Sequence, residues 1–385
     1  MESPAEAQQP LGQVPRADEA ILVVVLNEEG AIGKFLVQLA PAARHRRVYL
    51  LDSDSTDGTV AEAQDAASRV GVDLRLVRCP PGLAESIRTG LANTVESRVA
   101  VLDGDGQHDT AIVDTLFEAL RSGADLAVGS RNVAGASVAE DWPWYRSWGA
   151  NVLSWLARLA TWPRGVKDPL AGCFAVKRAA WDEVADRFET GGYKFLLDFL
   201  AVSCERLVVA ESPLTFKARI GGTSKMALPV FWEVLVSLQY CLFRGRVPRR
   251  WLGFGSVGVL GLVTDTLLTG LLLNVVGMPF VWARPLPVLV AMTQNYAMNN
   301  RFTFRDAQRK GTHTLAAGWL LYVACQTVGA VANWGVSVLV YNLGAPWFLA
   351  LPTGVLAGMA VNFMAARRVV WKKPPASRPD QSGPP

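Results

Sequence analysis

The chain has 385 residues, a formal charge of +4 and a mean hydropathy of +0.21, with 50% of its residues hydrophobic. That is too apolar for an ordinary soluble protein and long enough for two or three domains, so a membrane portion is expected. The small charge, with no basic stripe interleaved with aromatics, argues against a nucleic-acid partner. Five scattered cysteines without a CxxC argue against a disulfide framework or a zinc site.

Residues 1–18 are rich in Pro, Glu, Gln and Ala and lack an apolar run. The expectation is a disordered lead-in rather than a secretory signal, and a first domain that stays in the cytosol. From residue 21 to about 130, short β-branched runs alternate with helix-like segments: ILVVVL, 31–43, RVYLLD, 59–70, LRLVR, 83–92, VAVLD, 111–121 and DLAVGS. This alternation predicts βαβ units in a largely parallel sheet covered on both faces. Ligands of such sheets bind beyond the carboxyl ends of the strands.

Three polar clusters fall at those ends: Asn27 and Glu28 after the first strand, DSDSTDGT (52–59) after the second, and DGDGQHD (103–109) after the fourth. In the second, Asp52, Asp54 and Asp57 stand where a nucleoside base and ribose could be hydrogen-bonded; acids decorating a helix N-terminus are the plain alternative. In the third, Asp103, Asp105, Gln107 and His108 offer four metal or proton ligands, and Gly104 and Gly106 free the backbone to curl. Two carboxylates so placed suit a hard divalent ion shared with phosphates. A Gly-Asp surface turn feeding a helix from Asp109 explains the same stretch equally well by itself. Neither GxxxxGK[ST] nor GxGxxG occurs here, so a metal would have to hold the phosphates.

Beyond residue 226 the character changes. PVFWEVLVSLQYCLF (229–243) places Phe231, Leu235, Leu238 and Leu242 at helical spacing, as in a helix lying in the bilayer interface; a buried soluble helix is the alternative. Four apolar segments follow, near 252–276, 280–299, 314–341 and 345–366, each about the ~20 residues that cross a hydrocarbon core. Arg244, Arg246, Arg249 and Arg250 precede the first span; Arg301, Arg305, Arg309 and Lys310 separate the second from the third; Arg367, Arg368, Lys372 and Lys373 follow the fourth. The two remaining connections hold only Arg284, which places both ends of this portion in the cytosol. NYAMNNRFTF (295–304) and NFMAARRVVW (362–371) share Asn, an aromatic, Arg and a second aromatic at matching offsets, which implies two duplicated hairpins. Asp265 is an acid in the middle of a span, where acids are costly and usually functional; helix packing is the alternative.

With these motifs on the page, residues 20 to 226 resemble the glycosyltransferase family 2 enzymes of the dolichol-phosphate mannose synthase type, and residues 250 to 373 resemble the GtrA family of four-span membrane domains. NEEG, DSDSTDGT, DGDGQHD, GSRNVAG (129–135), YRSWGANVLSWL (145–156), DPLAGCFAVKR (168–178) and RIGGTSKM (219–226) carry the first resemblance, in family order and spacing. It implies an α/β, GT-A catalytic domain with a Rossmann-like, mostly parallel sheet, followed by an all-α membrane domain. The boundaries are a lead-in at 1–18, the catalytic domain at 19–226, an interfacial helix and linker at 227–250, the four-span domain at 251–373 and a tail at 374–385.

The resemblance further implies inverting transfer of a hexose, with mannose from GDP-mannose favoured, to polyprenyl or dolichyl phosphate. Asp103, Asp105 and Gln107 would hold Mg²⁺ or Mn²⁺ and the donor diphosphate. Asn27, Glu28, Asp52 and Asp54 match the nucleoside region. Arg131, Arg146 and Ser147 would receive the acceptor phosphate beside a loop near 132–145, and Arg219, Ser224 and Lys225 would face the diphosphate. Catalysis would then rest on Asp103, Asp105, Arg131, Arg146 and Lys225, with Asp168 before Pro169 either functional or a turn cap.

The chain departs from the family where Val24, Val25 and Leu26 replace Pro-Thr-Tyr before Asn27, where Ser53 and Asp54 replace Asp and Gly, and where Ala171 and Cys173 replace Ser and Phe. Glucosyl transfer from UDP-glucose and a carrier that flips a lipid-linked sugar stay open as alternatives. A processive synthase is disfavoured, since VPRRW (247–251) has Val247 where its glutamine belongs. A homo-oligomer is left open.

Overall fold

The computed structural model describes residues 18–138, 144–161, 165–189, 194–203, 207–217, 228–279, 285–345 and 347–371. Contacts divide the chain into two units, Met1–Val247 and Pro248–Pro385.

In the first unit, β1 (Glu19–Val25), β2 (Arg47–Asp52), β3 (Leu74–Arg78), β4 (Arg98–Asp103) and β5 (Leu126–Ser130) alternate with α1 (Ile32–Ala43), α2 (Thr59–Val70), α3 (Leu83–Asn93) and α4 (Ile112–Arg121). After a short β6 (Ser137–Val138) come α5 (Trp144–Thr161), β7 (Phe174–Lys177), α6 (Arg178–Asp182), α7 (Phe195–Val202), β8 (Val209–Pro213), β9 (Thr215–Phe216) and α8 (Leu228–Leu242). Seven strands form one sheet in the order β3-β2-β1-β4-β7-β5-β8. Every pairing is parallel except those of β7, which runs antiparallel between β4 and β5. This is the mostly parallel, Rossmann-like sheet expected of the GT-A class.

Every residue of β1 is buried, as befits a central strand covered on both faces. On one face Ile21, Val23 and Val25 join Phe35, Leu36 and Leu39 of α1 and Val113, Leu116 and Phe117 of α4 in a single core. On the other face Gly90 lets α3 come down onto Leu51 and Leu22, where a Cβ would clash. The register is what builds the rim. Val25 pairs with Asp52 and Val24 with Asp103, so β1, β2 and β4 end together. Because β7 is reversed, its first residue, Phe174, pairs with Val101, and the preceding Gly172 lands at the same rim.

Helix α8 packs on α5 and α7 with Trp232, Val236 and Tyr240 buried at helical spacing. The stripe expected from sequence is split by this packing: Leu238 is buried, while Phe231 and Leu242 point outward with Phe243.

The second unit holds α9 (Arg249–Asn274), α10 (Pro285–Met298), α11 (Thr312–Asn342) and α12 (Trp347–Ala365), with one π-helical turn after α10 (Asn299–Thr303) and one after α12 (Ala366–Val370). Arg249–Asn274 and Thr312–Val340 are long and apolar enough to cross a membrane. The described part of α10 has 14 residues; the first residues of the span expected at 280–299 lie outside the described residues. Val259, Leu262, Val263 and Leu267 on α9 and Leu320, Val328 and Val331 on α11 face outward, a surface suited to lipid. Helices pair as α9 with α10 and α11 with α12. Asn295 sits against Gly261 in the first pair and Asn362 against Gly329 in the second, with no room for a Cβ at either glycine. Small residues of this kind let membrane helices approach closely.

Candidate active site

One half of the rim is a latch between two loops. Asn27 adopts a left-handed backbone (φ 52°), which Asn tolerates better than most residues. Its N–H donates to Ser55 Oγ (3.0 Å), and its Oδ1 accepts from Thr56 N (2.9 Å). Glu28 N donates to Thr59 Oγ1 (2.8 Å), the first residue of α2. Asp52 is fully buried, accepts from Ser55 N (3.1 Å) and is ion-paired with Arg78 of β3. Asp54, also left-handed at φ 73°, is exposed and has no polar partner among the described residues. Asp57 caps α2 through Thr59; burial works against its charge, but the hydrogen bonds from Thr59 and Glu29 N outweigh it and hold its carboxyl below the ordinary value.

The carboxylate pair lies on a turn built by Gly106 (φ 78°). Asp105 Oδ1 accepts from Gln107 N (3.1 Å), and the Gln107 amide donates to Lys217 O (3.4 Å), fastening the turn to the segment after β9. His108, 2% exposed, accepts a hydrogen bond at Nδ1 from Asp103 N (3.2 Å). The ring proton therefore belongs on Nε2, which stands 3.8 Å from Asp103 Oδ2. Gly172 closes the other side: a Cβ there would stand 2.7 Å from Asp103 Oδ2. The neighbouring Cys173 thiol is pushed well up by burial and by Asp103, so it is a neutral filler rather than a nucleophile.

Across the rim, Arg131 follows β5. Its Nε and Nη2 donate to the two oxygens of Asp168 (2.8 and 2.9 Å), and its backbone N adds a third bond (3.0 Å). Asp168 is fully buried, and its own N–H is held by Glu211 (3.0 Å). Burial works against the guanidinium charge, yet Asp168 and Asp103 together raise Arg131 above its ordinary value. The fork also lies over the Phe216 ring at 5.7 Å. Lys194, at the N-terminus of α7, is half-buried and feels Arg131, Asp103 and Asp168; burial and Arg131 depress it, and the two carboxylates offset part of that.

Of the residues expected from sequence, Asp103, Asp105, Gln107 and Arg131 share this rim, next to the latch made by Asn27, Glu28, Asp52 and Asp54. The side chains of Arg146 and Ser147 lie outside the described residues, as do Arg219, Ser224 and Lys225. Sequence reasoning passed over Lys194 and left Asp168 undecided. The signal for Lys194 was a single cation opening KFLLDFLAV, whose other charged residue is Asp198; that for Asp168 was an acid placed before Pro169, in the loop that leads into β7.

Comparison with known proteins agrees with this arrangement. Residues 20–185 match the glycosyl transferase family 2 description, and residues 253–371 match the GtrA/DPMS transmembrane domain. A dolichol-phosphate mannosyltransferase of Pyrococcus furiosus is 27% identical over 91% of this chain and 99% of its own. A polyprenol monophosphomannose synthase of Mycolicibacterium smegmatis is 30% identical over 65% of this chain and 98% of its own. A dodecaprenyl-phosphate galacturonate synthase of Rhizobium johnstonii is 29% identical over 62% of this chain and 71% of its own. The chain is therefore a membrane glycosyltransferase, and it belongs to the dolichol-phosphate mannosyltransferase and polyprenol monophosphomannose synthase family, with a GtrA/DPMS transmembrane domain at its C-terminal end.

Proposed function

We propose that this enzyme transfers mannose from GDP-mannose to a polyprenyl phosphate with inversion, at the cytosolic face of a membrane that its C-terminal unit crosses four times, with both termini cytosolic. The observation that carries the reading is the Arg131 fork fixed by Asp168 on the same rim as Asp103. An anion-binding arginine is thereby held beside the carboxylates that would meet the donor diphosphate. The named relatives support mannose and a polyprenyl phosphate.

A divalent ion fits the residues present. Among the described residues no three His, Cys, Asp or Glu side chains gather as a self-sufficient metal site. Two carboxylates and an amide leave coordination positions for phosphate oxygens, which suits Mg²⁺ or Mn²⁺. The glycine at position 172 keeps the Asp103 carboxylate clear of a side chain that would crowd it. Asp103, Asp105 and Gln107 would hold the ion, which would supply charge neutralisation for the departing diphosphate.

The remaining chemistry is alignment. A phosphate monoester is an adequate nucleophile at neutral pH, so no general base is required. Arg131 grips two of its oxygens and turns the third toward the sugar carbon. Asp168 keeps the guanidinium plane fixed, and His108 keeps Asp103 oriented through its backbone N–H. Asn27, Glu28, Asp52 and Asp54 form the nucleoside latch, and Arg146, Ser147, Arg219, Ser224 and Lys225 complete the phosphate contacts.

A second reading, a UDP-linked hexose or uronic acid as donor, draws on the galacturonate synthase relative and on Ser53 and Asp54 in the nucleoside latch. Membranes containing the enzyme and polyprenyl phosphate, given radiolabelled GDP-mannose, UDP-glucose or UDP-galacturonate, test both. Label entering the organic phase from GDP-mannose alone is the expected result. Label from a UDP-sugar alone overturns the donor assignment, and no label from any donor overturns lipid transfer.

A further inference from the structure

We propose that Lys194 is a second cation for the acceptor phosphate, acting beside Arg131. Asp168 spends both oxygens on Arg131, so those two groups form a nearly neutral pair. Asp103 and Asp105 add two more negative charges to the same rim, which the divalent ion they would hold offsets. A lipid phosphate entering as a dianion then finds the described arginine of this rim already compensated, so a further cation beside Arg131 would add to the hold on the anion.

Lys194 is placed to do so. Its backbone occupies the N-cap position of α7, all of whose residues are buried. The next residue, Phe195, stacks on Phe174 with ring centroids 5.5 Å apart and planes within 6°. Phe174 opens β7, two residues after the Gly172 that faces Asp103. The lysine is thus anchored by a packed helix at the reacting edge. Among the described residues no hydrogen bond or ion pair engages its ammonium group; it feels Arg131, Asp103 and Asp168 only through space. Two cations that repel one another across a half-buried space define a place for an anion.

The partners also choose which anion. Lys194 feels Arg131 and Asp168 as well as Asp103. It lies on the Arg131 side, where the acceptor enters. An ammonium on a flexible stem can follow a phosphate whose position changes as the new bond forms, while the rigid Arg131 fork sets its orientation.

The inference rests on the lipid-phosphate reading given above, and its test separates the two. Full-length wild type, Lys194→Met and Lys194→Arg are placed in lipid nanodiscs and checked for equal thermal unfolding. Binding of polyprenyl phosphate is measured without donor, and transfer is measured while polyprenyl phosphate and nucleotide-sugar are varied separately. Lys194→Met is expected to weaken polyprenyl-phosphate binding and to raise its KM by roughly tenfold or more, with donor affinity changed by less than about twofold and much of the loss restored by Lys194→Arg. Unchanged lipid binding and acceptor KM in Lys194→Met overturn the proposal, as does a loss confined to donor affinity. If wild type binds the lipid but transfers no sugar from GDP-mannose, the donor reading fails while the binding comparison still decides Lys194.

Discussion

The ring of Phe304 lies flat on that of Trp371, with centroids 4.4 Å apart and planes within 6°. Each is the last residue of one copy of the repeated segment, and each follows a π-helical turn. The surrounding pairs obey the same exchange: Tyr296 stacks on Trp371 (5.7 Å) as Phe363 tilts against Phe304 (6.1 Å), and Tyr322 meets Trp371 edge-on as Phe254 meets Phe304. The two hairpins of the second unit are therefore related by an approximate two-fold axis that passes through the Phe304–Trp371 stack. Truncating either ring should cost about 3–5 kcal/mol of stability, since both are buried. A double-mutant cycle should return a coupling of about 0.5–1.5 kcal/mol, the double variant losing less than the sum of the separate losses by that amount. Unfolding of Phe304→Ala, Trp371→Ala and the double variant in detergent measures it, and strictly additive losses count against the stack as the seam.

The same duplication gives a second prediction. Gly329 faces Asn362 and Gly261 faces Asn295 with no space for a methyl group, whereas Gly335 on the same helix as Gly329 has open space around its Cβ position. Gly329→Ala and Gly261→Ala should each lower the unfolding temperature by several degrees, because overpacking costs roughly 1–3 kcal/mol. Gly335→Ala should be neutral or slightly stabilising through its better helix propensity. Equal behaviour of the three variants argues against close helix approach.

Much of the first unit was legible because its strands are short, β-branched and separated by helices, a pattern that only a largely parallel sheet satisfies. Asp103 and Asp105 stood out as acids converging at a strand end, although a surface turn explained them equally well alone, and Arg131 was visible only through the family resemblance. The reversal of β7 was not, since FAVK reads the same in either direction. That reversal is what delivers Gly172 to Asp103. Asp168 and Lys194 were hidden for the same reason: each is a lone charge whose role exists only after distant segments meet. Helix α8 was ambiguous because an apolar stripe suits either a protein neighbour or a bilayer, and Tyr240 shows that part of it is spent on the protein.

Acid should loosen the first unit near its N-terminal edge. The Ser97 hydroxyl hydrogen bond holds the Asp18 carboxyl below its ordinary 3.8, against a smaller opposing effect of burial and with further help from Ser97 N and Arg98. A carboxyl depressed in the folded state contributes stability fully above its unfolded value and loses it as pH falls through the folded value. The contribution of Asp18 is therefore flat from neutral pH down to about 5 and disappears below about 4. Asp18→Asn should flatten that part of the acid unfolding curve and leave the neutral region parallel to wild type. An unchanged slope below pH 4 rules the contact out as a contributor.

Transfer should require a divalent ion. Asp105→Asn keeps the size of the side chain and its link to Gln107 N, so the fold should persist while turnover drops by about two orders of magnitude or more. Adding Mn²⁺ should not restore the variant, although it should restore wild type stripped with EDTA. Wild type that runs at full rate in excess EDTA contradicts the assignment of Asp103, Asp105 and Gln107.

Asp168→Asn separates orientation from charge at the acceptor site. The amide fits the same space but can accept from Arg131 at only one oxygen, and it removes the buried negative charge that keeps the fork in plane. Breaking a well-buried ion pair from one side typically costs about 3–5 kcal/mol; Arg131 is partly exposed, so on the order of 2 kcal/mol is the reasonable expectation here. Acceptor KM should rise and turnover fall by about tenfold or more, because the guanidinium would sample orientations in which its two-point grip on phosphate is lost. Donor affinity should hold, since the nucleoside latch from Asn27 to Thr59 makes no contact with Asp168. Arg131→Lys in the same background then discriminates: if Asp168 acts only by orienting Arg131, the double variant should be little worse than Arg131→Lys alone. Full additivity of the two losses would mean that Asp168 reaches the substrate by a route of its own.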